Sequence, residues 1–355
     1  MARWLLVLAV ALLASPAHAD PAKCQKAILG SLLKYKKVVL KTHEKCLDNE
    51  NVGKTPGPCP DATATLKIQT TDMKADEKIA SGCADPNDVA GYASCNFKPG
   101  ATGAEASCDA LPVGTPTDVS NCLECWKSSE LKRFVAIVYA SHAAELCAND
   151  PNDPNDPLTA HCSPMACSTP RPLQQNLGDT AENDCQRAIG KAGFKYLVSR
   201  EKTLEKCGLG GGTKATCLDP NTLDGAKVAV TLGKAETKKS TAIKKKCGNN
   251  RSPVANPPFC CRTGTGNACT VVATRDDCTA ISGASVQESK VCDPNGLTCG
   301  PTPGAQSITW WESCPDQTCG SFPLATMDDL ITCVDEAADA TVDDLLCLQF
   351  PAGWC

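Results

Sequence analysis

The feature that most constrains this chain is a 23-residue segment that occurs twice, with a cysteine at each end. Cys24–Cys46 aligns without a gap with Cys185–Cys207, and eleven positions are identical, including a Cys-Gln-x-Ala-Ile start and a Glu-Lys-Cys end. Self-similarity of this extent indicates a duplicated supersecondary unit. We therefore expect the chain to contain two related folding units.

The first copy has the periodicity of one amphipathic helix. Its apolar positions and end cysteines recur every three or four residues, and lysines occupy the other face. The stripe consists of Cys24, Ile28, Leu32, Tyr35, Val39, Thr42 and Cys46. Gly193 and Arg200 interrupt the corresponding stripe of the second copy, so its helical pattern is less regular.

Each copy is followed by a turn-rich loop and by a second segment compatible with a helix. The loops are Asp48–Pro60 and Gly208–Pro220, and the segments after them are Ala62–Cys83 and Thr222–Cys247. This order predicts an antiparallel helical hairpin in each copy.

Helix length limits how the cysteines of each hairpin can pair. A helix of 23 residues is about 33 Å long, so the cysteines at its two ends cannot bond each other. An antiparallel hairpin brings each end next to the second helix, which favours the pairs Cys24–Cys83, Cys46–Cys59, Cys185–Cys247 and Cys207–Cys217. Spacing alone leaves other connectivities open.

A third helical segment follows each hairpin, over Asp118–Cys147 and Thr326–Leu348, and we match Cys125 with Cys333. The second unit also carries an insertion, Gly248–Ser321, which is rich in Gly, Pro and Thr and holds eight cysteines. The predicted fold class is therefore mainly α, with two disulfide-clamped helical-hairpin repeats. The second repeat contains a small cysteine-rich insertion of irregular or β structure.

The first nineteen residues have the three parts of a secretory signal peptide. Arg3 gives a basic start, Leu5–Leu13 is apolar, and Ala17-His18-Ala19 has the small-x-small pattern of a cleavage site. All 26 cysteines follow this segment, and an even number in an oxidising compartment predicts a disulfide framework. We therefore expect a secreted protein (extracellular, periplasmic or associated with the cell surface) without a transmembrane segment.

The linker between the units is indicated by a tripeptide repeat. Asn-Asp-Pro occurs three times in succession from Asn149 to Pro157, and proline at every third position forbids a helix. The predicted organisation is a signal peptide at 1–19, a first helical repeat unit at 20–147, a linker at 148–180, and a second helical repeat unit at 181–355 with the insertion at 248–321.

These motifs give the chain a resemblance. It resembles uncharacterised cysteine-rich secreted proteins predicted from bacterial genomes, which have similar Cys-Gln-x-Ala-Ile helices ending in Glu-Lys-Cys and a similar Cys-Cys-Arg…Asp-Asp-Cys…Val-Cys-Asp segment. In this sequence the motifs lie in Cys24–Cys46, Cys185–Cys207 and Cys260–Asp293. The resemblance implies the hairpin architecture and assigns no activity.

Candidate chemical sites are few, and a structural interpretation is favoured for each. Cys122-Leu-Glu-Cys125 has the spacing of a thiol–disulfide redox pair but lacks the βαβ context of such motifs. One corner of a zinc site is offered by His161, Cys162 and Cys167. The aspartates of the Asn-Asp-Pro repeats are candidate calcium ligands, but the prolines prevent an organised calcium-binding loop. We predict no catalytic, cofactor-binding or metal-binding residues, and we assign the eight hairpin cysteines to disulfides.

Charge is distributed unevenly. Cys24–Cys46 holds six lysines and one acidic residue, Cys185–Cys247 is also basic, and Gly320–Cys355 has seven acidic residues without Lys or Arg. Three interpretations stay open. In the first, the lysine faces bind a polyanion such as an anionic polysaccharide or lipopolysaccharide. In the second, the acidic segment docks onto the basic second hairpin. In the third, the lysines form an ordinary helix surface. Nucleic acid is not expected as a partner, because aromatic residues do not interleave with the lysines.

These features favour a non-catalytic scaffold, secreted or associated with the cell surface, with a structural or ligand-binding role. The repeat, the cysteine count and the lack of a motif such as Gly-x-Ser-x-Gly support this interpretation. The alternative hypothesis is an extracellular enzyme or enzyme inhibitor that acts through the 248–321 subdomain or the Cys122–Cys125 pair.

Overall fold

The structure is a computed structural model that describes residues 21–55, 57, 59–83, 89, 95, 108, 111–139, 180–247, 327–350 and 354, and the backbone of five strands between 259 and 300. The predicted signal peptide, most of the linker and most of the insertion lie outside these residues. The described part is mainly helical, as the sequence predicts.

The described residues form seven helices, of which six belong to the predicted helical segments and one is short and unpredicted. They are α1 (Pro21–Asn51), α2 (Ala62–Gly82), α3 (Pro116–Val138), α4 (Thr180–Leu209), α5 (Lys214–Leu218), α6 (Leu223–Cys247) and α7 (Met327–Gln349). The unpredicted helix, α5, lies in the loop of the second hairpin. Thr213 and Thr216 form a capping box at its start, which satisfies two backbone N–H groups there.

Five short strands lie within the predicted insertion and confirm its β character. They are β1 (Phe259–Thr263), β2 (Cys269–Val272), β3 (Ala284–Gln287), β4 (Val291–Cys292) and β5 (Cys299–Gly300). The first three form an antiparallel sheet with β1 in the centre, in which Cys261 is paired with Thr270 on one side and Val286 on the other. The last two form a separate antiparallel pair.

The two hairpins are clamped by the disulfides that helix length favours. At the open end of each hairpin the Cα–Cα distance is 4.5 Å for Cys24–Cys83 and 4.6 Å for Cys185–Cys247. At the loop end it is 5.7 Å for Cys46–Cys59 and 6.0 Å for Cys207–Cys217. All four predicted pairs are present, because antiparallel helices bring these ends together.

Helix α3 occupies the centre of the described fold. Thr115 and Asp118 form a capping box at its start, and Pro116 takes the first turn, where its missing N–H needs no partner. Nearly every side chain from Val119 to Val138 is buried against α1, α2, α4 and α7. One apolar cluster therefore continues from α1 through α3 into α4, α6 and α7.

The third helices of the two units have equal lengths and reciprocal contacts. The Gln186 side-chain amide donates to the Val138 carbonyl at the end of α3 (2.7 Å), and Gln25 donates to the Gln349 carbonyl at the end of α7 (2.6 Å). Each third helix is thus capped by the glutamine of the other unit's repeat. Aligning α3 and α7 by their ends places Cys333 opposite Cys122 rather than Cys125.

The two residues that interrupt the stripe of α4 are buried contact residues. A Cβ at Gly193 would lie 3.1 Å from Val138 Cγ1 and 3.2 Å from Val334 Cγ1, so the glycine allows α3 and α7 to approach closely. The Arg200 guanidinium Nε lies 2.9 Å from the Asp339 carboxylate of α7. The apolar stripe of α4 can be interrupted at these positions because α4 is buried on more than one face.

Candidate functional site

Three helices present rows of exposed basic side chains beside one another. The rows are Lys37, Lys41 and Lys45 on α1, Arg187, Lys191 and Lys195 on α4, and Lys234, Lys238 and Lys245 on α6. Residues four or seven positions apart lie on the same face of a helix, so each row forms a stripe. Two adjoining recesses, of about 1000 and 790 Å³, separate the α4 row from the α6 and α1 rows, and we call them the basic groove.

A hydrogen-bonded carboxylate fixes the middle of the basic groove. Asp48 of α1 accepts a hydrogen bond from the Tyr139 hydroxyl (3.0 Å) and pairs with the Arg187 guanidinium Nε (3.1 Å). Burial raises the pKa of Asp48, and the hydrogen bonds from Tyr139 and Arg187 oppose that rise. The contact joins the two hairpins and orients Arg187.

The acidic C-terminal helix confirms the interpretation that it docks onto the basic second hairpin. Along one face of α7, Asp335 pairs with Lys239, Asp339 with Arg200, and Asp343 with Lys214, the last at 2.9 Å. Burial lowers the pKa of Lys239 to about 8 and raises that of Asp339 to about 6. These contacts neutralise one side of the hairpin.

The basic groove lies on the side that α7 does not neutralise. Within the described part of the chain, no ion pair joins Lys191, Lys195, Lys234, Lys238 or Lys245 to a carboxylate. Glu44 and Asp48 are half-buried at its floor, and Glu44 has a pKa raised mainly by burial. The groove therefore keeps an excess of exposed positive charge.

One lysine of the repeat, Lys36, is fully buried rather than exposed on the polar face of α1. Lys36 pairs with Glu201 of α4, and the same carboxylate lies 3.3 Å from the Lys127 ammonium and accepts a hydrogen bond from Gln349 (3.2 Å). Burial lowers the pKa of Lys127 to about 7, with Glu205 as the main opposing charge. This buried cluster connects four helices and has no access for a ligand.

The Cys122–Cys125 pair is not a redox dithiol. Cys122 is bonded to Cys95 and Cys125 to Cys108, and Cys122 is completely buried. The neighbouring Trp126 indole donates to the Cys95 carbonyl (2.8 Å), which packs this corner further. Both cysteines are structural, and the redox hypothesis was wrong.

The structure also brings together three carboxylates that the sequence analysis did not connect. Asp72 and Asp76 of α2 face Glu124 of α3, and one oxygen of each lies within 4.8 Å of the others. Burial and the neighbouring Asp72 and Asp76 raise the pKa of Glu124 to about 11. The four-residue spacing of the two aspartates was a sequence signal, but their partner lies on another helix.

Two earlier hypotheses lie outside the described residues. His161, Cys162 and Cys167 belong to the linker, and the side chains of the 248–321 subdomain are also outside, so an enzyme or inhibitor role for that subdomain stays a prediction. None of the described helices is long and apolar enough to cross a membrane. No protein-family model, curated protein or solved structure matches the chain.

Proposed function

We propose that the protein is a secreted, non-catalytic scaffold that binds an anionic polysaccharide along the basic groove, the anionic sugars of lipopolysaccharide being one source of that chemistry. The observation that carries this proposal is the alignment of three exposed cationic rows from α1, α4 and α6. We also propose that the protein is related to the cysteine-rich secreted bacterial proteins that its motifs resemble.

The spread of the charges supports a polymer as the ligand. Four residues of helix rise about 6 Å, so each row extends over roughly 12 Å or more, and the rows lie side by side on separate helices. A small anion contacts a few of these cations, whereas a chain with repeated negative charges contacts several in succession. Lysines act as point charges, which suits sulfate and carboxylate groups in variable orientations.

Two further features support this ligand class. The disulfides at both ends of each hairpin hold the helices that carry the rows in place, so little backbone conformational entropy is lost on binding. The aromatic residues beside the groove, Phe194 and Tyr196, are each 4% exposed and present no open ring for base stacking. The groove therefore favours sugars with charged groups over single-stranded nucleic acid.

Heparin chromatography with a salt gradient tests the proposal. We expect the protein to be retained at low ionic strength and to elute as salt screens the charges. The variant Lys191→Glu/Lys195→Glu/Lys234→Glu/Lys238→Glu is expected to lose retention. Its matched control makes the same four changes outside the groove, at Lys26, Lys34, Lys67 and Lys74, which are also exposed.

The control separates a defined surface from net charge. We expect the control variant to stay bound and to elute at slightly lower salt than the unchanged protein. A protein that fails to bind heparin at low salt contradicts the proposal. An equal loss of retention in both variants also contradicts it, because binding would then follow total charge rather than the groove.

A further inference from the structure

Three acidic side chains meet at the contact between α2 and α3, away from the basic groove. Asp72 and Asp76 are half-buried and lie one turn apart on the same face of α2, and Glu124 of α3 is 7% exposed. One carboxylate oxygen from each residue lies within 4.8 Å of the other two. Three like charges in this space repel one another unless a positive charge or a proton is bound between them.

Two of these carboxylates have oxygens without a donor. Glu124 Oε1 and Asp76 Oδ1 are buried, and within the described part of the chain neither accepts a hydrogen bond. Buried polar atoms nearly always have a partner, because leaving one unsatisfied costs about 1–3 kcal/mol. A cation bound among these carboxylates would provide a partner for both oxygens.

We propose that Asp72, Asp76 and Glu124 bind a divalent cation of the calcium class between α2 and α3. Calcium takes oxygen ligands at about 2.4 Å, so two ligands of one ion lie at most about 4.8 Å apart, which the cluster satisfies. The three residues provide oxygen ligands alone, whereas zinc favours histidine and cysteine. Because both aspartates are half-buried, water can complete the coordination from the solvent side.

The ion would join two helices that no disulfide joins within the described residues. The cysteines flanking α2, Cys59 and Cys83, are both bonded to α1, and Cys122 and Cys125 of α3 are bonded to Cys95 and Cys108. A cation bound here would therefore cross-link α2 of the first hairpin to α3. This inference does not depend on the polysaccharide proposal.

Calorimetric titration of the EDTA-treated full chain, with its disulfides intact, tests the site with CaCl₂ and MgCl₂. We expect calcium to bind one site with a Kd of about 10⁻⁴ to 10⁻³ M, in the range of extracellular modules, and to bind more tightly than magnesium. The melting temperature is expected to rise with calcium concentration. Failure of the unchanged protein to bind calcium at 10 mM, roughly ten times the upper Kd, overturns the proposal.

Conservative variants assign the binding to these residues. Glu124→Gln and Asp76→Asn keep the side-chain shapes and are each expected to weaken calcium binding at least tenfold. Glu77→Gln makes a matched change at an exposed position of the same helix and is expected to leave binding unchanged. Circular dichroism checks that each variant folds, and Asp72→Asn replaces any that does not.

The competing state is a protonated Glu124 that donates a hydrogen bond to one of the aspartates without a metal. In that case the melting temperature of the unchanged protein does not respond to calcium, and the Glu124→Gln amide replaces the proton donor without loss of stability. That pair of results rejects the cation site. Calcium binding that survives both Glu124→Gln and Asp76→Asn rejects it as well.

Discussion

The first hairpin (α1 and α2) and the second hairpin (α4 and α6) have the same clamps but differ where they face each other. In α1 the interface positions are Lys36 and Leu40, and the aligned positions in α4 are Leu197 and Glu201. Lys36 pairs with Glu201, while Leu40 and Leu197 are both buried in the shared apolar cluster. Equivalent contacts are thus ionic on one side of the interface and apolar on the other.

This difference shows how two duplicated hairpins can become specific for pairing with each other. If two copies of the first hairpin faced each other in the same way, Lys36 of one would meet Leu40 of the other, and a buried charge would lack its partner. Such mismatches cost several kcal/mol and disfavour the alternative pairing. The two copies have diverged at complementary positions, so each is suited to the other and not to itself.

The largest expected effect comes from breaking the ionic side of this interface. Glu201→Leu leaves Lys36 and Lys127 buried, with Glu205 near both lysines and Glu124 near Lys127 as opposing charges. We expect the free energy of unfolding to fall by about 3–5 kcal/mol, because a buried charge loses its partner. Urea unfolding with the disulfides intact measures this change.

The double variant Lys36→Leu/Glu201→Leu is the control for that experiment. It makes this side of the interface resemble the Leu40–Leu197 side and leaves Lys127 with Glu205. We expect it to recover most of the lost stability, since replacing both members of a buried pair is often neutral or stabilising. A double variant as unstable as Glu201→Leu would show that the pair is not the determining contact.

A second difference between the hairpins predicts a dependence on pH. His43 in α1 is buried, and the aligned residue in α4 is the buried Leu204. Burial, followed by the nearby Lys132, lowers the pKa of His43 to about 3. Between pH 6.5 and 3 the unfolded chain binds a proton that the folded chain does not, so stability falls by about 1.4 kcal/mol per pH unit on acidification.

His43→Leu removes this contribution and makes the two hairpins alike at this position. We expect the variant to gain stability relative to the unchanged protein as the pH falls, by roughly 3 kcal/mol at pH 4.5 compared with pH 7. Urea midpoints at pH 7, 5.5 and 4.5 measure the difference. Parallel pH profiles for the two proteins would rule out a buried neutral histidine.

The smallest expected effect concerns the reciprocal glutamine caps. Gln186 is 1% exposed and Gln25 is half-buried, although both donate to the last carbonyl of a third helix. Gln186→Ala is expected to cost about 1–2 kcal/mol and Gln25→Ala about 0.5–1 kcal/mol, because water can reach the carbonyl at the more exposed cap. Equal losses in thermal unfolding would contradict the difference in burial.

Much of the fold could be predicted from the chain because its determinants are local. The stripe from Cys24 to Cys46 fixes one face of α1, and helix length forbids a bond between those two cysteines. The turn-rich loop then places Cys59 beside Cys46 and Cys83 beside Cys24. The helix α5 was missed because its five residues are too few to show a periodicity.

The burial and the ion-pair partners of the charged residues could not be predicted from the sequence in the same way. Lys36 and Lys37 are adjacent in α1, yet the first is buried against Glu201 and the second is exposed beside the basic groove. Arg200 interrupts an apolar stripe but meets Asp339 of α7. Which of these charges is paired depends on a helix far away in the sequence, and periodicity carries no information about that neighbour.

The sequence by itself determined two helical hairpins, the disulfides at their ends and the excess of lysine in the repeat. Only the tertiary structure decided that α7 neutralises one side of the second hairpin, that the other side forms the basic groove, and that Glu124 meets Asp72 and Asp76. The helices follow from interactions within a few turns of chain, and the hairpin disulfides follow from helix length and the antiparallel order of two consecutive helices. The groove and the carboxylate cluster depend on how helices pack across the molecule, where burial and opposing charges decide the state of each group.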